Sequence, residues 1–207
     1  MDLRKVCVLG FFAYTLLAAG CSDKSPIVDD ITEYDLPIMN ELKGNQFIYA
    51  IESDGMLYKM QYAFRSQLVV DPDYYRTHEI MRGDVVYIQT DATNEEINRL
   101  KNSAFDVVRV IALPGETVRI DKSQIYIDDR ELKSFYGNEA FARGSEIKPD
   151  RTLNMEEVIV PDNHYFLIGD LWWRNGNNSI RSGPFSHEHI LGKIIGWTGK
   201  IEGINTP

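Results

Sequence analysis

The sequence predicts a mostly β domain carrying a smaller inserted β or irregular region, and three observations carry that expectation. Segments rich in β-branched and aromatic residues recur at close intervals, turn-forming residues separate them, and aromatic residues make up 11% of the 207 positions. Such side chains fit the pleated, half-buried surface of a sheet. In chain order the strand-like segments are Phe47 to Ile51, Leu68 to Val70, Asp84 to Gln89, Val107 to Leu113 and Val118 to Ile120. They continue with Ile125 to Ile127, Glu157 to Val160, Tyr165 to Ile168 and Ile190 to Thr198. One helix interrupts them: Thr93-Asn94-Glu95-Glu96 has the form of a capping box, hydroxyl and carboxylate each satisfying a free amide, and the helix should run to about Asn102. The run Gln124 to Leu132 (QIYIDDREL) reads as a hairpin turning at Asp128-Asp129, which is a turn and not a catalytic carboxylate pair; polar, irregular sequence follows to Pro149. From Ser22 to about Leu42 the chain is acidic with two prolines and reads as a tether with at most one short helical turn.

The N-terminus has its own pattern. Arg4 and Lys5 precede an uncharged apolar run, Val6 to Ala19, followed by Gly20, Cys21 and a polar stretch. The length suits the core of an export signal and falls short of the about 20 apolar residues of a membrane span. Leu17-Ala18-Ala19-Gly20-Cys21 resembles the lipobox of bacterial lipoproteins, with Ala18 where that pattern prefers leucine. The resemblance implies cleavage before Cys21 and lipid on its sulfur, holding the protein to a membrane on the extracytoplasmic side. The competing reading is an uncleaved signal anchor whose cysteine has no role.

That leader also settles the cysteine count. Cys7 leaves with it and Cys21 is acylated, so the mature body has no thiol to form a disulfide. A body of roughly 185 residues is large enough to rely on a hydrophobic core. The chain carries a net charge of −9, and the leader removes a net +1 (Arg4 and Lys5 against Asp2), leaving −10. So acidic a body repels phosphate backbones and anionic headgroups, which excludes nucleic acid as a partner and leaves anchoring to the lipid.

Three segments together resemble the type I signal peptidase family: MRGDVVYIQT (Met81 to Thr90), VRVIALPGETVRIDKSQIYIDDREL (Val108 to Leu132), and VIVPDNHYFLIGD (Val158 to Asp170) continuing through SGPFSHEHILGKIIGW (Ser182 to Trp197). Their order and spacing carry the match over residues 47 to 198; Arg82-Gly83-Asp84 alone is a turn leading into a strand. The resemblance implies a catalytic β domain with a smaller, variable β domain inserted, cutting signal peptides from exported proteins. After the leader (1–20) and the acidic tether (21–45), it divides the chain into the main β domain (46–120 and 158–200) and the insertion (121–157).

The family's chemistry uses a serine nucleophile and a buried lysine that takes its proton as a neutral amine. The serine lies in a G-x-S-M-x-P-T-like stretch and the lysine directly precedes R-V-I. Aligning Met56 with the family methionine puts Gly55 at the nucleophile position, with Tyr58-Lys59 in place of Pro-Thr, and Val108 at the position of the base. The supporting stretch, G-D-N-R…D-S-R-x-x-G in the family, reads Gly169-Asp170-Leu171-Trp172-Trp173-Arg174, with one extra residue, then Asn178-Ser179-Ile180-Arg181. Asn178 stands in the place of the acid. Glycine and valine offer neither nucleophile nor base, and losing one member of such a group costs on the order of four to six powers of ten in rate.

Ser53, two residues before Gly55, is the hydroxyl that could replace the nucleophile, although neither Lys59 nor Lys101 falls where a base is needed. His187-Glu188-His189 would offer two ligands and no third, a weak metal site beside the simpler reading of a turn capped by Ser186. Trp172-Trp173 could be core, rest on lipid, or form an aromatic platform. No cofactor or metal is expected. Three functions compete: a lipid-anchored, catalytically inactive relative that binds exported polypeptides or assists an active peptidase; an active serine endopeptidase using Ser53; and a surface lipoprotein reusing the fold for another ligand.

Overall fold

The computed structural model of the protein describes residues 24–33, 35–51, 53, 55–56, 67–90, 104–138, 152–172 and 176–198. The leader, Cys21, Lys59, Lys101, the expected helix from Thr93, and Trp173 to Asn175 lie outside these residues. Among the described residues twelve strands build two sheets, and the class is mostly β as the sequence predicts.

The larger sheet contains β2 (Phe47–Ala50), β3 (Gln67–Asp71), β4 (Val85–Gln89), β5 (Phe105–Ala112), β10 (His164–Ile168), β11 (Phe185–Ser186) and β12 (Ile190–Trp197). Their spatial order is β11-β10-β5-β4-β12-β3-β2. All pairings between these strands are antiparallel. The smaller sheet contains β1 (Ile27–Val28), β6 (Thr117–Asp121), β7 (Gln124–Ile127), β8 (Arg130–Lys133) and β9 (Met155–Ile159), in the order β1-β8-β7-β6-β9. Its hairpins turn at Lys122-Ser123 and Asp128-Asp129, where φ is positive at all four residues. This is the twist that two-residue hairpins demand, and aspartate tolerates it.

Strand β5 holds the molecule together because period-two alternation sends its side chains to different cores. Val107 packs with Ile51, Met56, Leu68, Val70, Val85, Tyr87 and Ile194. Val108 and Val110 pack on the other face with Ile80, Val86, Ile88, Leu167 and Phe185. Ile111 and Ala112 reach a third cluster that includes Val118, Ile125, Leu132, Phe166 and Trp172, which ties the two sheets to one core.

Two boundaries differ from the sequence expectation. The inserted part of the smaller sheet begins at Thr117, before residue 121, because β6 pairs with β7 and β9 and not with the larger sheet. The segment expected as a tether also contributes structure. Ile27 and Val28 pair in parallel with Leu132 and Lys133. Asp29 accepts from the Thr32 amide at 2.9 Å and its hydroxyl at 2.6 Å, and from the Tyr136 hydroxyl. Burial alone would raise the Asp29 carboxyl, but these bonds outweigh it and hold it below its ordinary value. Gly83, at φ +89°, sits so close beneath this strap that a Cβ there would collide with Thr32 Oγ1.

Candidate functional site

Beyond β2 the chain passes Ile51, Ser53, Gly55 and Met56. Ile51 and Met56 are buried in the cluster around Val107, which fixes the segment from both ends. Between them, Ser53 Oγ donates to Asp106 Oδ1 at 2.9 Å, and the Gly55 carbonyl accepts from the Leu171 amide at 2.7 Å. The segment of the expected nucleophile is thus joined both to the start of β5 and to the chain that follows β10.

Val108, the residue expected at the base position, is fully buried and opposite Val86 in the β4–β5 pairing. Two residues earlier on the same face lies Asp106, only 3% exposed. Its carboxylate accepts from Ser53 Oγ, from the Val107 amide at 2.8 Å and from Asn177 Nδ2 at 3.1 Å. Burial pushes this carboxyl above its ordinary value despite those bonds. Sequence reasoning weighs only lysines as a base for Ser53 and misses Asp106. The signal was an acid inside an otherwise apolar strand, Phe105 to Ala112, where a charge needs dedicated partners.

The third motif is committed to structural work. Asp170 is 2% exposed and holds Arg109 through two bonds of 2.8 Å, while Arg109 Nη1 donates to the Gly83 carbonyl at 2.7 Å. The guanidinium also lies 4.8 Å from the ring centroid of Phe135 and 5.2 Å from that of Tyr136. Asp170 therefore supports Arg109, the residue that follows Val108. Gly169 is buried beside it. Asn178 caps the single-turn helix α1 (Ser179–Ser182), accepting from the Arg181 amide at 3.2 Å and donating to the Trp172 carbonyl at 3.1 Å. The β10–β5 register shifts between Phe166 and Leu167, and Ser179 Oγ accepts from the Leu167 amide at 2.8 Å. Asn178, expected in the place of the family acid, serves here as a helix cap.

The sequence model of the family "Signal peptidase, peptidase S26" matches residues 47–197. The chain belongs to the signal peptidase family. A signal peptidase I of Leptolyngbya laminosa is 27% identical over 177 residues, covering 83% of this chain and 79% of that protein. A probable signal peptidase I-1 of Synechocystis sp. is 31% identical over 148 residues, covering 70% of this chain and 67% of the relative. A solved signal peptidase I from Enterococcus faecalis aligns at a TM-score of 0.45 with 21% identity, covering 56% of this chain and 97% of that one. No helix among the described residues is long and apolar enough to cross a membrane.

The remaining candidates sit elsewhere in this signal peptidase relative. His187, Glu188 and His189 form a 3-10 turn after Ser186, not a strand. Ser186 makes no side-chain cap to the turn's amides; its hydroxyl lies 3.0 Å from His189 Nδ1. Among the described residues no group of three or more potential ligands is placed to hold a metal. Trp172 is 3% exposed and belongs to the core.

Asp106 gives a pH signature. An ordinary aspartate titrates near 3.8 and the buried one higher. As pH rises past the ordinary value, the unfolded chain releases this proton while the folded one retains it. The folded state then binds more protons, so stability falls with rising pH until the buried carboxyl ionises, and the penalty is constant beyond. Urea midpoints measured across this acidic window should fall more steeply in the wild type than in Asp106→Asn. Parallel slopes would mean that Asp106 ionises as freely in the fold as in the unfolded chain.

Proposed function

We propose that this chain is a lipid-anchored member of the signal peptidase family that does not cleave, and that it binds exported polypeptides, or assists an active peptidase, on the extracytoplasmic face of a membrane. The motif alignment, which puts glycine and valine at the nucleophile and base positions, supports the reading, and the observation beside it is that Val108 is sealed among aliphatic side chains. Strand β2 supports the binding half. Among the described residues it is the terminal strand of the larger sheet, and its chain runs on to Ser53 and Gly55. An extended polypeptide could add to such an edge through main-chain hydrogen bonds, which need no dyad. The lipobox-like sequence ending at Cys21 supports the anchor.

A second reading has its own observation. The 2.9 Å bond from Ser53 to Asp106 is the geometry in which a carboxylate could accept a hydroxyl proton. Burial makes Asp106 a better base than an exposed carboxylate, though a far weaker one than a neutral amine. Titration of a labelled, signal-like peptide, followed by fluorescence anisotropy, tests the first reading. Saturable binding is expected, with the peptide intact at the end; no binding and no cleavage would leave a fold reused for another ligand.

A further inference from the structure

The strap that precedes the larger sheet is bound to the smaller one from its first residues. Arg130 Nε donates to the Ser25 carbonyl at 2.7 Å, and the Asp29 amide donates to the Lys133 carbonyl at 2.9 Å. Between them lies the β1–β8 pairing. The chain is therefore fixed to the body from Ser25 onward, only four positions after Cys21. Four residues span at most about 14 Å fully extended. The headgroup layer on each side of a bilayer is itself roughly 5–8 Å deep.

From this we infer that the β1 edge of the smaller sheet lies against the lipid surface, with the exposed side chains of the strap in contact with the bilayer. The inference rests on the reading that Cys21 carries lipid. A leash this short leaves no room for the body to stand away from its anchor. The strap displays apolar groups where the leash places it: Val28 is 62% exposed and Ile31 is 86% exposed. In a folded body such side chains gain by leaving water. The opposite edge of the same sheet is β9, where Ile159 is 67% exposed. At 4.7–4.9 Å per strand it lies about 19 Å farther across the sheet. One sheet thus offers both a membrane-facing position and an internal control.

The test uses the full chain, expressed with its leader, purified from membranes and placed in phosphatidylcholine vesicles containing a headgroup-quencher lipid. Cys7 and Cys21 are the chain's only cysteines, so a processed, acylated protein has no competing thiol. Ile31→Cys, and separately Val28→Cys, would be labelled with a polarity-sensitive fluorophore and compared with Ile159→Cys. At positions 31 and 28 a blue-shifted emission is expected, quenched severalfold more than at 159. Equal, water-like emission at all three sites, with Cys21 shown by intact mass to be acylated, would overturn the inference and leave the lipid reading standing. An unprocessed or unmodified Cys21 would overturn the lipid reading, and the inference with it.

Discussion

Restoring Gly55→Ser and Val108→Lys together should yield no measurable cleavage of a fluorogenic signal-peptide substrate. The double variant should also unfold at lower urea than the wild type. Val108 is fully buried against Val86, Val110 and Leu167, so the substitution removes packed aliphatic volume and inserts an amine, at a cost on the order of 2–4 kcal/mol. Desolvation would push that amine toward the neutral form that the chemistry requires. Asp106, on the same face two residues away, would favour the ammonium instead, and a protonated lysine is no base. The groups that ought to orient it are engaged: the Asn178 side chain caps α1 and bonds Trp172, and the Ser179 hydroxyl accepts from Leu167. A nucleophile and base without a supporting shell are held too loosely to work. Cleavage appearing only in the double variant would show that the site had lost two side chains and nothing else.

The largest effect on stability should come from Asp170→Ala. It leaves the Arg109 guanidinium, itself 1% exposed, without its carboxylate, and removing one partner of a buried pair costs about 3–5 kcal/mol. The Gly83 carbonyl bond and the two aromatic rings would remain and soften the loss. Replacing both partners at once, Arg109→Met with Asp170→Leu, should recover much of it, because no charge is then stranded. Urea unfolding of the three variants reads this directly. A loss below about 1 kcal/mol for Asp170→Ala, the size typical of a surface pair, would mean that water reaches Arg109.

The fold was legible where its signals are local. Nine strands follow from runs of β-branched and aromatic residues, and the Asp128-Asp129 turn from its sequence. Strand β1 was not legible, since two residues in an acidic stretch become a strand only through pairing with β8, more than a hundred positions away. The same limit hid the site's polar wiring. Gly55 and Val108 could be placed by motif, but Ser53 with Asp106, and Arg109 with Asp170, are joined across 53 and 61 positions. Their trace in the sequence was only two charged residues, Asp106 and Arg109, inside one apolar strand. The capping role of Asn178 was not legible either, because position in a motif says nothing of whether a side chain caps a helix.

The central claim is that this member of the signal peptidase family does not cleave. Its most direct test is incubation of the purified full chain with a signal-peptide substrate, with products followed by mass spectrometry beside Ser53→Ala and Asp106→Asn. The substrate should remain intact in all three. Cleavage by the wild type that disappears in both variants would contradict the account and make Ser53 and Asp106 a working catalytic pair.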